Sequence, residues 1–389
     1  MEGASLQRRD RTGPPSVEDV VGTRKIAIAH EWVDAYAGSE QVFEAFARIF
    51  PNADLYALSR RPSISLDVGS RDIRTTFLDT SMFRNRRAAT LPLMPLAWRA
   101  LRAPEYDLVI SSHHAFAHAN RLAGRSGRHL CYVHSPARYV WTPEIDGRGG
   151  SRMLKPARDA LRRVDRRFSR KVDSYAANST AVAARIQSFW GRTARVIHPP
   201  VRVEYFAEGA PKVPTRDYVL GVGRWIGYKN LDLVIRAAER AGLPVKLAGR
   251  GPDRERLLAA AREASVPVEL IESPSDEELR SLYQNARCLV FPTIEDFGLI
   301  PVEAQAAGTP VVAPAAGGVI DTVVNGRTGV LVDGLDPDRL AAAIHEADAI
   351  DPAACREHAT RFGFTATQDA VVAWVSSELL KPSRDAVCA

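Results

Sequence analysis

Short apolar runs alternate with amphipathic stretches along most of the chain. Residues 25–29, 108–110, 129–133 and 175–177 read as buried strands in the first half. Residues 217–222, 245–248, 268–271, 288–291, 310–313 and 329–332 read the same way in the second. Helical patterns fall between them, for example over 231–241, 254–264 and 276–285. Apolar strands separated by helices predict α/β domains with parallel sheets covered on both faces. The stretch Ile197-His-Pro-Pro-Val201 can continue neither a helix nor a central strand, and the domain boundary is placed there. The expected organisation is therefore a tail over 1–24, one domain over 25–198, a second over 201–364, and an amphipathic helix and tail over 365–389 that packs back across the boundary.

Composition agrees with that division. A chain of 389 residues is too long for one ordinary core and fits two domains. Its 46% hydrophobic and 25% charged content is that of a globular protein. Cys131, Cys288, Cys355 and Cys388 are scattered with no C-x-x-C pair, so neither a zinc site nor a disulfide framework is indicated, and a reducing compartment is expected. Residues 1–24 carry Gly, Pro and charges where a signal peptide needs an apolar centre, so disorder and a cytoplasmic location are expected.

The formal charge of +6 is unevenly placed. Between Ser151 and Val172 nine cations, Arg152 to Lys171, face only Asp159 and Asp165, while Leu154, Ala157, Leu161, Val164 and Phe168 recur at helical spacing. A second mixed stretch runs over 77–101, where Met82, Phe83, Leu93 and Leu96 alternate with arginines. Both suit an anionic membrane surface and, equally, a solvated helix face or ordinary packing. No helix-turn-helix, RRM or zinc-finger pattern accompanies them, so nucleic acid is not an expected partner.

The chemistry concentrates in the second half. Glu295 lies on a glycine-bearing loop after a strand, and Glu303 is expected in the first turn of the helix that follows, with the N–H groups of Phe297, Gly298 and Leu299 between them. One unit earlier, Gly221-Val-Gly-Arg-Trp-Ile-Gly-Tyr-Lys-Asn230 follows a strand and opens a helix. Its third glycine comes late for a dinucleotide fingerprint, and no strand-end acid follows, so a redox cofactor is disfavoured. It does supply Arg224 and Lys229, two fixed cations suited to a diphosphate. Gly249-Arg250-Gly-Pro252 repeats the strand-to-glycine-turn arrangement, and loops at the carboxyl ends of parallel strands converge on ligands. Asp336-Pro-Asp338 has a metal-binding form, but it precedes a helical run and reads as a helix cap, so no obligatory metal is expected.

Gly223-Arg224 through Lys229-Asn230, Gly249-Arg-Gly-Pro252, Ser275-Asp-Glu-Glu-Leu279, Glu295 through Glu303, Ala307-Gly-Thr-Pro-Val311, Gly317-Gly318 and Asn325-Gly-Arg-Thr-Gly329 together resemble the donor domain of retaining glycosyltransferases of family four. His30-Glu-Trp32, Gly38-Ser-Glu40, Ser111-Ser-His-His114 and Tyr132-Val-His-Ser-Pro136 are similar to the mannosyltransferase-like branch of that family. The chain departs from the family pattern at Glu272-Ser273-Pro274, Gly38-Ser39 and Asp321.

The resemblance implies a GT-B fold, two Rossmann-like domains facing each other across a cleft, with the acceptor held by the first and a nucleotide sugar by the second. It implies that Arg224 and Lys229 hold the donor diphosphate, that Glu303 meets the ribose, and that Glu295 lies beside the donor sugar. Gly223, Arg250, Phe297, Gly298 and Leu299 would complete the donor site. From the other domain Gly38 would let the backbone approach the diphosphate, and His134 would face sugar and acceptor, with a core histidine as the alternative for His134 and His114. The implied activity is metal-independent transfer of a hexosyl unit with retention, a GDP-sugar such as GDP-mannose being favoured over a UDP-sugar. The acceptor is a glycan, a lipid-linked intermediate or a small molecule. A non-catalytic nucleotide-sugar or glycan-binding protein and a nucleotide-sugar epimerase are the competing readings.

Overall fold

The computed structural model describes residues 17–143, 155–209 and 216–382. Residues 1–16, 144–154, 210–215 and 383–389 lie outside them, and with them the first four positions of the basic segment 151–172. The alternation of apolar strands and helices folds into two parallel sheets. The first contains β1 (Ile26–Val33), β2 (Asp54–Arg60), β3 (Ile73–Thr75), β4 (Tyr106–His113), β5 (Ala123–Val133), β6 (Ser174–Ala177) and β7 (Arg195–Val196) in the order β3-β2-β1-β4-β5-β6-β7. The second contains β8 (Tyr218–Arg224), β9 (Val245–Arg250), β10 (Val268–Glu272), β11 (Ala286–Val290), β12 (Val311–Pro314) and β13 (Gly329–Val332) in the order β10-β9-β8-β11-β12-β13. Each order reverses beside its first strand, so the loops beyond β1 and β4, and beyond β8 and β11, diverge and leave a crevice. This is the two-domain GT-B architecture.

β1 is buried along its whole length, as a strand covered on both faces must be. The extended segment after β7 leaves the first sheet, and Val201 N–H donates to the Phe362 carbonyl at 2.8 Å, so the two chain crossings lie side by side. The helix Phe364–Leu379 then returns to the first domain. Its Val371, Val372, Trp374 and Val375 join the same core as Ile28, Phe46 and Leu130, and the Trp374 indole N–H donates to Ser174 Oγ at 2.9 Å. The expected crossing helix is present.

Two expectations need correction. Residues 17–21, placed in a disordered tail, form a short helix whose Val21 is buried in that same core, with Val17 and Val20 packed against it. The three valines supply apolar contact that the polar average of the segment hides. β2 and β3 were not foreseen, since polar Asp54, Ser59 and Arg60 flank the buried stretch of β2, and β3 is a three-residue strand at the sheet edge.

Candidate active site

The loops at the carboxyl ends of β8, β9 and β11 build the site in the second domain. Gly223 and Arg224 of β8 pair in register with Gly249 and Arg250 of β9. Gly249 has φ +149°, and a Cβ there would collide with the Gly223 carbonyl, so only glycine lets these strand ends close up. Above them opens a cavity of about 390 Å³, lined by Gly223, Arg224, Gly249, Arg250, Ser273 and Pro274 among others. Arg224 is exposed and donates to the Tyr228 hydroxyl at 3.0 Å.

A tight turn, Gly227–Lys229, ends on Asn230 in the left-handed region at φ 51°. Asn230 Nδ2 donates to the Pro292 carbonyl at 2.9 Å, and Thr293 Oγ1 donates to the Lys229 carbonyl at 3.0 Å. These two bonds tie the loop after β8 to the loop after β11 and bring the Lys229 ammonium into contact with the Glu295 carboxylate. Lys229 is 6% exposed. Burial, then the Arg224 and Arg138 guanidiniums, push it down to about 7, while the Glu295 carboxylate pulls the other way.

The Glu295 loop is braced from below. Gly318 N–H donates to the Glu295 carbonyl at 2.8 Å, and a side chain on Gly318 would run into the backbone of Phe297. Gly298, at φ 94°, then opens the helix Leu299–Ala306, whose first-turn N–H groups have no partners within the helix. Phe297 is buried among His198 and Phe362, so what it can offer a ligand is its backbone N–H. Glu303 was expected in the first turn but is the fifth residue of that helix, because the helix starts at Leu299. Its carboxylate accepts from the Tyr283 hydroxyl at 3.0 Å, and burial raises its pKa against the opposing effects of that bond and of Arg202.

The first domain meets this surface closely. Gly38 begins the helix Gly38–Ile49, and a Cβ on it would lie 2.6 Å from Leu299 Cδ1. His134 follows β5, with Nε2 2.8 Å from Ser112 Oγ and its carbonyl accepting from Asn178 Nδ2 at 3.0 Å. Burial pushes His134 down to about 3, so it is neutral at ordinary pH. His114 packs edge-on against Trp32 with ring centroids 4.3 Å apart.

A further junction escaped the sequence reading. The Asp296 carboxylate contacts both Arg138 and Arg185, its carbonyl accepts from Ser179 Oγ, and Asp321 accepts from Thr180 N–H at 2.6 Å. These bonds join the two domains directly beside Glu295. Arg138 and Asp296 are 158 positions apart, and no local pattern announces such a pair.

As for a metal, Asp336 Oδ1 accepts from the N–H groups of Asp338 and Arg339 at 3.0 Å each and caps the helix Pro337–Glu346, while Asp338 contacts Arg240. Among the described residues, His113, His118 and Asp165 form a buried group of potential ligands. The other oxygen of Asp165 is taken by the indole N–H groups of Trp141 and Trp190 at 2.7 and 2.6 Å.

A family model described as Glycosyltransferase Family 4 matches residues 38–205, and one described as Glycosyl transferases group 1 matches residues 205–363. A D-inositol 3-phosphate glycosyltransferase of Nocardiopsis dassonvillei is 32% identical over 320 residues, 71% of this chain and 73% of the relative. Its namesake from Mycolicibacterium smegmatis is 36% identical over 199 residues, 46% of each chain, so that match spans about half the relative's length. HepE of Anabaena, solved in complex with UDP, superposes with a TM-score of 0.68 at 16% identity, covering 91% of this chain and 100% of that one. Sucrose-phosphate synthase of Thermosynechococcus elongatus superposes with a TM-score of 0.68 at 20% identity, covering 92% and 99%. These structures speak for the fold. With both halves matched in order, and a relative aligned over most of its length, the chain belongs to glycosyltransferase family 4, the group 1 glycosyl transferases of GT-B fold.

Proposed function

We propose that the protein transfers a hexosyl unit from a nucleoside diphosphate sugar to a hydroxyl of its acceptor, with retention and without an obligatory metal. The observation that carries this is the buried Lys229 ammonium, held against Glu295 beside the Gly223–Gly249 cavity at the strand ends. A cation kept out of water at such a place serves an anion that arrives there. Arg224 and Lys229 take the charge of the departing diphosphate, and Arg250 adds to the field. Glu303 holds the ribose, and Glu295 with the N–H groups of Phe297, Gly298 and Leu299 grips the sugar and phosphate. The bond from the anomeric carbon to the diphosphate breaks as the acceptor oxygen bonds that carbon on the same face, and the acceptor proton passes to the diphosphate. His134 meets sugar and acceptor from the opposite domain.

The preference for GDP-mannose rests on the first-half resemblance, and the UDP held by the Anabaena neighbour makes UDP-sugars the competing donors. Glycan ends, lipid-linked intermediates and D-inositol 3-phosphate, named for the relatives, are the acceptors to try. A thermal-shift panel of nucleotide sugars followed by anomeric analysis of the product tests the reading. A panel with no stabilising donor, or an inverted product, overturns it.

The place of work we propose is an anionic membrane surface. The helix Lys155–Ser169 and the residues after it expose Arg163, Arg167, Arg170 and Lys171. Arg99 of the helix Met94–Ala100 lies 5.6 Å from the Phe168 ring, and Leu96 of that same helix is exposed, as is Met82. Among the described residues no helix is long and apolar enough to cross a membrane.

A further inference from the structure

We propose that Glu40, His30 and Ser112 form a relay that fixes the tautomer of His134, leaving its Nδ1 a bare acceptor for a substrate hydroxyl. The proposal rests on the functional reading only in that His134 meets a substrate.

The four groups stand in a row. Glu40 Oε1 lies 3.9 Å from His30 Nε2, His30 Nδ1 lies 2.9 Å from Ser112 Oγ, and Ser112 Oγ lies 2.8 Å from His134 Nε2. Glu40, His30 and Ser112 are buried, and His134 is the member with exposed surface. Three secondary-structure elements supply them: His30 from β1, Ser112 from β4 and Glu40 from the helix Gly38–Ile49, while His134 follows β5 directly.

A hydroxyl has one proton, so Ser112 can donate to only one of its two imidazoles and must accept from the other. Glu40 decides which. Its second oxygen accepts from Ser39 Oγ at 2.8 Å, which turns the first oxygen toward His30. At 3.9 Å the Glu40 oxygen is beyond hydrogen-bond length, but it is the acceptor that faces His30 Nε2, a buried nitrogen with no hydrogen-bond partner, and it favours an N–H there over a lone pair. His30 Nδ1 is then a lone pair. Ser112 donates to it, and the Ser112 oxygen accepts from His134 Nε2–H. His134, neutral and with its one N–H committed to Ser112, is left with Nδ1 as an acceptor. The ring therefore recognises a hydroxyl and rejects an ether or carbonyl oxygen at the same point. Without Glu40 nothing would choose between the two directions, and with an N–H on His30 Nδ1 the row would run the other way and His134 Nδ1 would carry a proton.

Glu40, His30 and Ser112 are on this account positioning residues. The ring nitrogens of the full chain, labelled with 15N-histidine and free of substrate, report the tautomer through their two-bond couplings to ring protons, with His134 assigned by its loss in His134→Gln. We expect His134 protonated at Nε2 alone in the wild type, and a mixture of tautomers in Ser112→Ala and Glu40→Gln. Ser112→Thr, which keeps the hydroxyl, should hold the wild-type tautomer. Protonation of His134 at Nδ1 in the wild type, or a tautomer unmoved in both variants, overturns the relay. With a donor and acceptor in hand, Ser112→Ala should lower kcat/KM by about tenfold. Unchanged kcat/KM in a variant whose tautomer has moved overturns the substrate contact. Because the tautomer is read without turnover, its failure is distinct from failure of the glycosyltransferase reading.

Discussion

Replacing Lys229 by Ala tests the centre of the proposed site. The side chain is 6% exposed and its ammonium contacts Glu295 beside the cavity, so the substitution removes a desolvated cation and leaves Arg224 and Arg250 as the cations lining the cavity. Loss of one group that stabilises leaving-group charge costs about 3 kcal/mol, or two to three orders of magnitude in kcat/KM. The same change leaves the Glu295 carboxylate without its partner. Glu295 is 22% exposed in its side chain, so the stability loss should be smaller than for a fully buried pair, about 1–2 kcal/mol. The two effects separate in the double variant Lys229→Ala, Glu295→Gln, which should recover the melting temperature without recovering turnover. The pH dependence has a definite sign. The charged ammonium is the form that holds a diphosphate, and burial pushes it down to about 7 in the free protein. Donor affinity should be full below that pH and weaken as the pH rises through it, by up to about tenfold per unit. Titration calorimetry in buffers of different ionisation enthalpy should show proton uptake on donor binding above the same pH. Turnover within about threefold of wild type in Lys229→Ala, or affinity and proton uptake that ignore pH, would refute the reasoning.

Three further outcomes are expected. Asp336→Ala removes a helix cap and should cost about 1 kcal/mol in a melt while leaving kcat/KM at the wild-type value both with and without a chelator; a variant revived only by added manganese would restore the metal reading of Asp336-Pro-Asp338. Gly249→Ala places a methyl group against the Gly223 carbonyl and should abolish stabilisation by a donor in thermal shift while the second domain still folds; donor stabilisation equal to wild type would show that the strand ends can spread at no cost. Binding of the full chain to vesicles rich in anionic lipid should fall steeply as salt rises and weaken on replacing Arg167, Arg170 and Lys171 together by Gln; binding indifferent to salt and lipid charge would leave a solvated face.

Local signals made the second domain readable. The helices Leu231–Ala241 and Asp276–Asn285 follow the expected ranges because their boundaries are chemically marked, by Gly242 in the left-handed region at φ 68° and by a capping box of Ser275 with Glu278. The strands β2 and β3 of the first domain carried no such marks. Tyr56 of β2 is buried and bonds the Tyr106 hydroxyl at 2.7 Å, but the polar neighbours of Tyr56 dilute the apolar pattern. The candidate residues Arg224, Lys229, Glu295 and Glu303 stood out because they flank two strand-to-helix connections marked by glycine, one around Gly223 and Gly227 and one around Gly298. Asp296 was not. Next to Glu295 in sequence, it turns to the other domain, where Arg138 waits on one helix and Arg185 and the N-cap Ser179 on another.

That division of labour between adjacent acids bears on mechanism. A pair of carboxylates that cleaves a glycoside needs both groups free and facing one bond. Glu303 is engaged by Tyr283, and Glu295 is already neutralised by Lys229 before any substrate arrives. Asp296 is spent on two arginines of the opposite domain. None of the three is arranged as a nucleophile with a proton donor across from it. What the arrangement does hold ready is positive charge, since a diphosphate that draws Lys229 toward itself loosens its hold on Glu295 and frees that carboxylate for the sugar hydroxyls alongside. Donor binding and the release of Glu295 are then one event, which is why the double variant, lacking both halves of the exchange, should melt like the wild type and still fail to turn over.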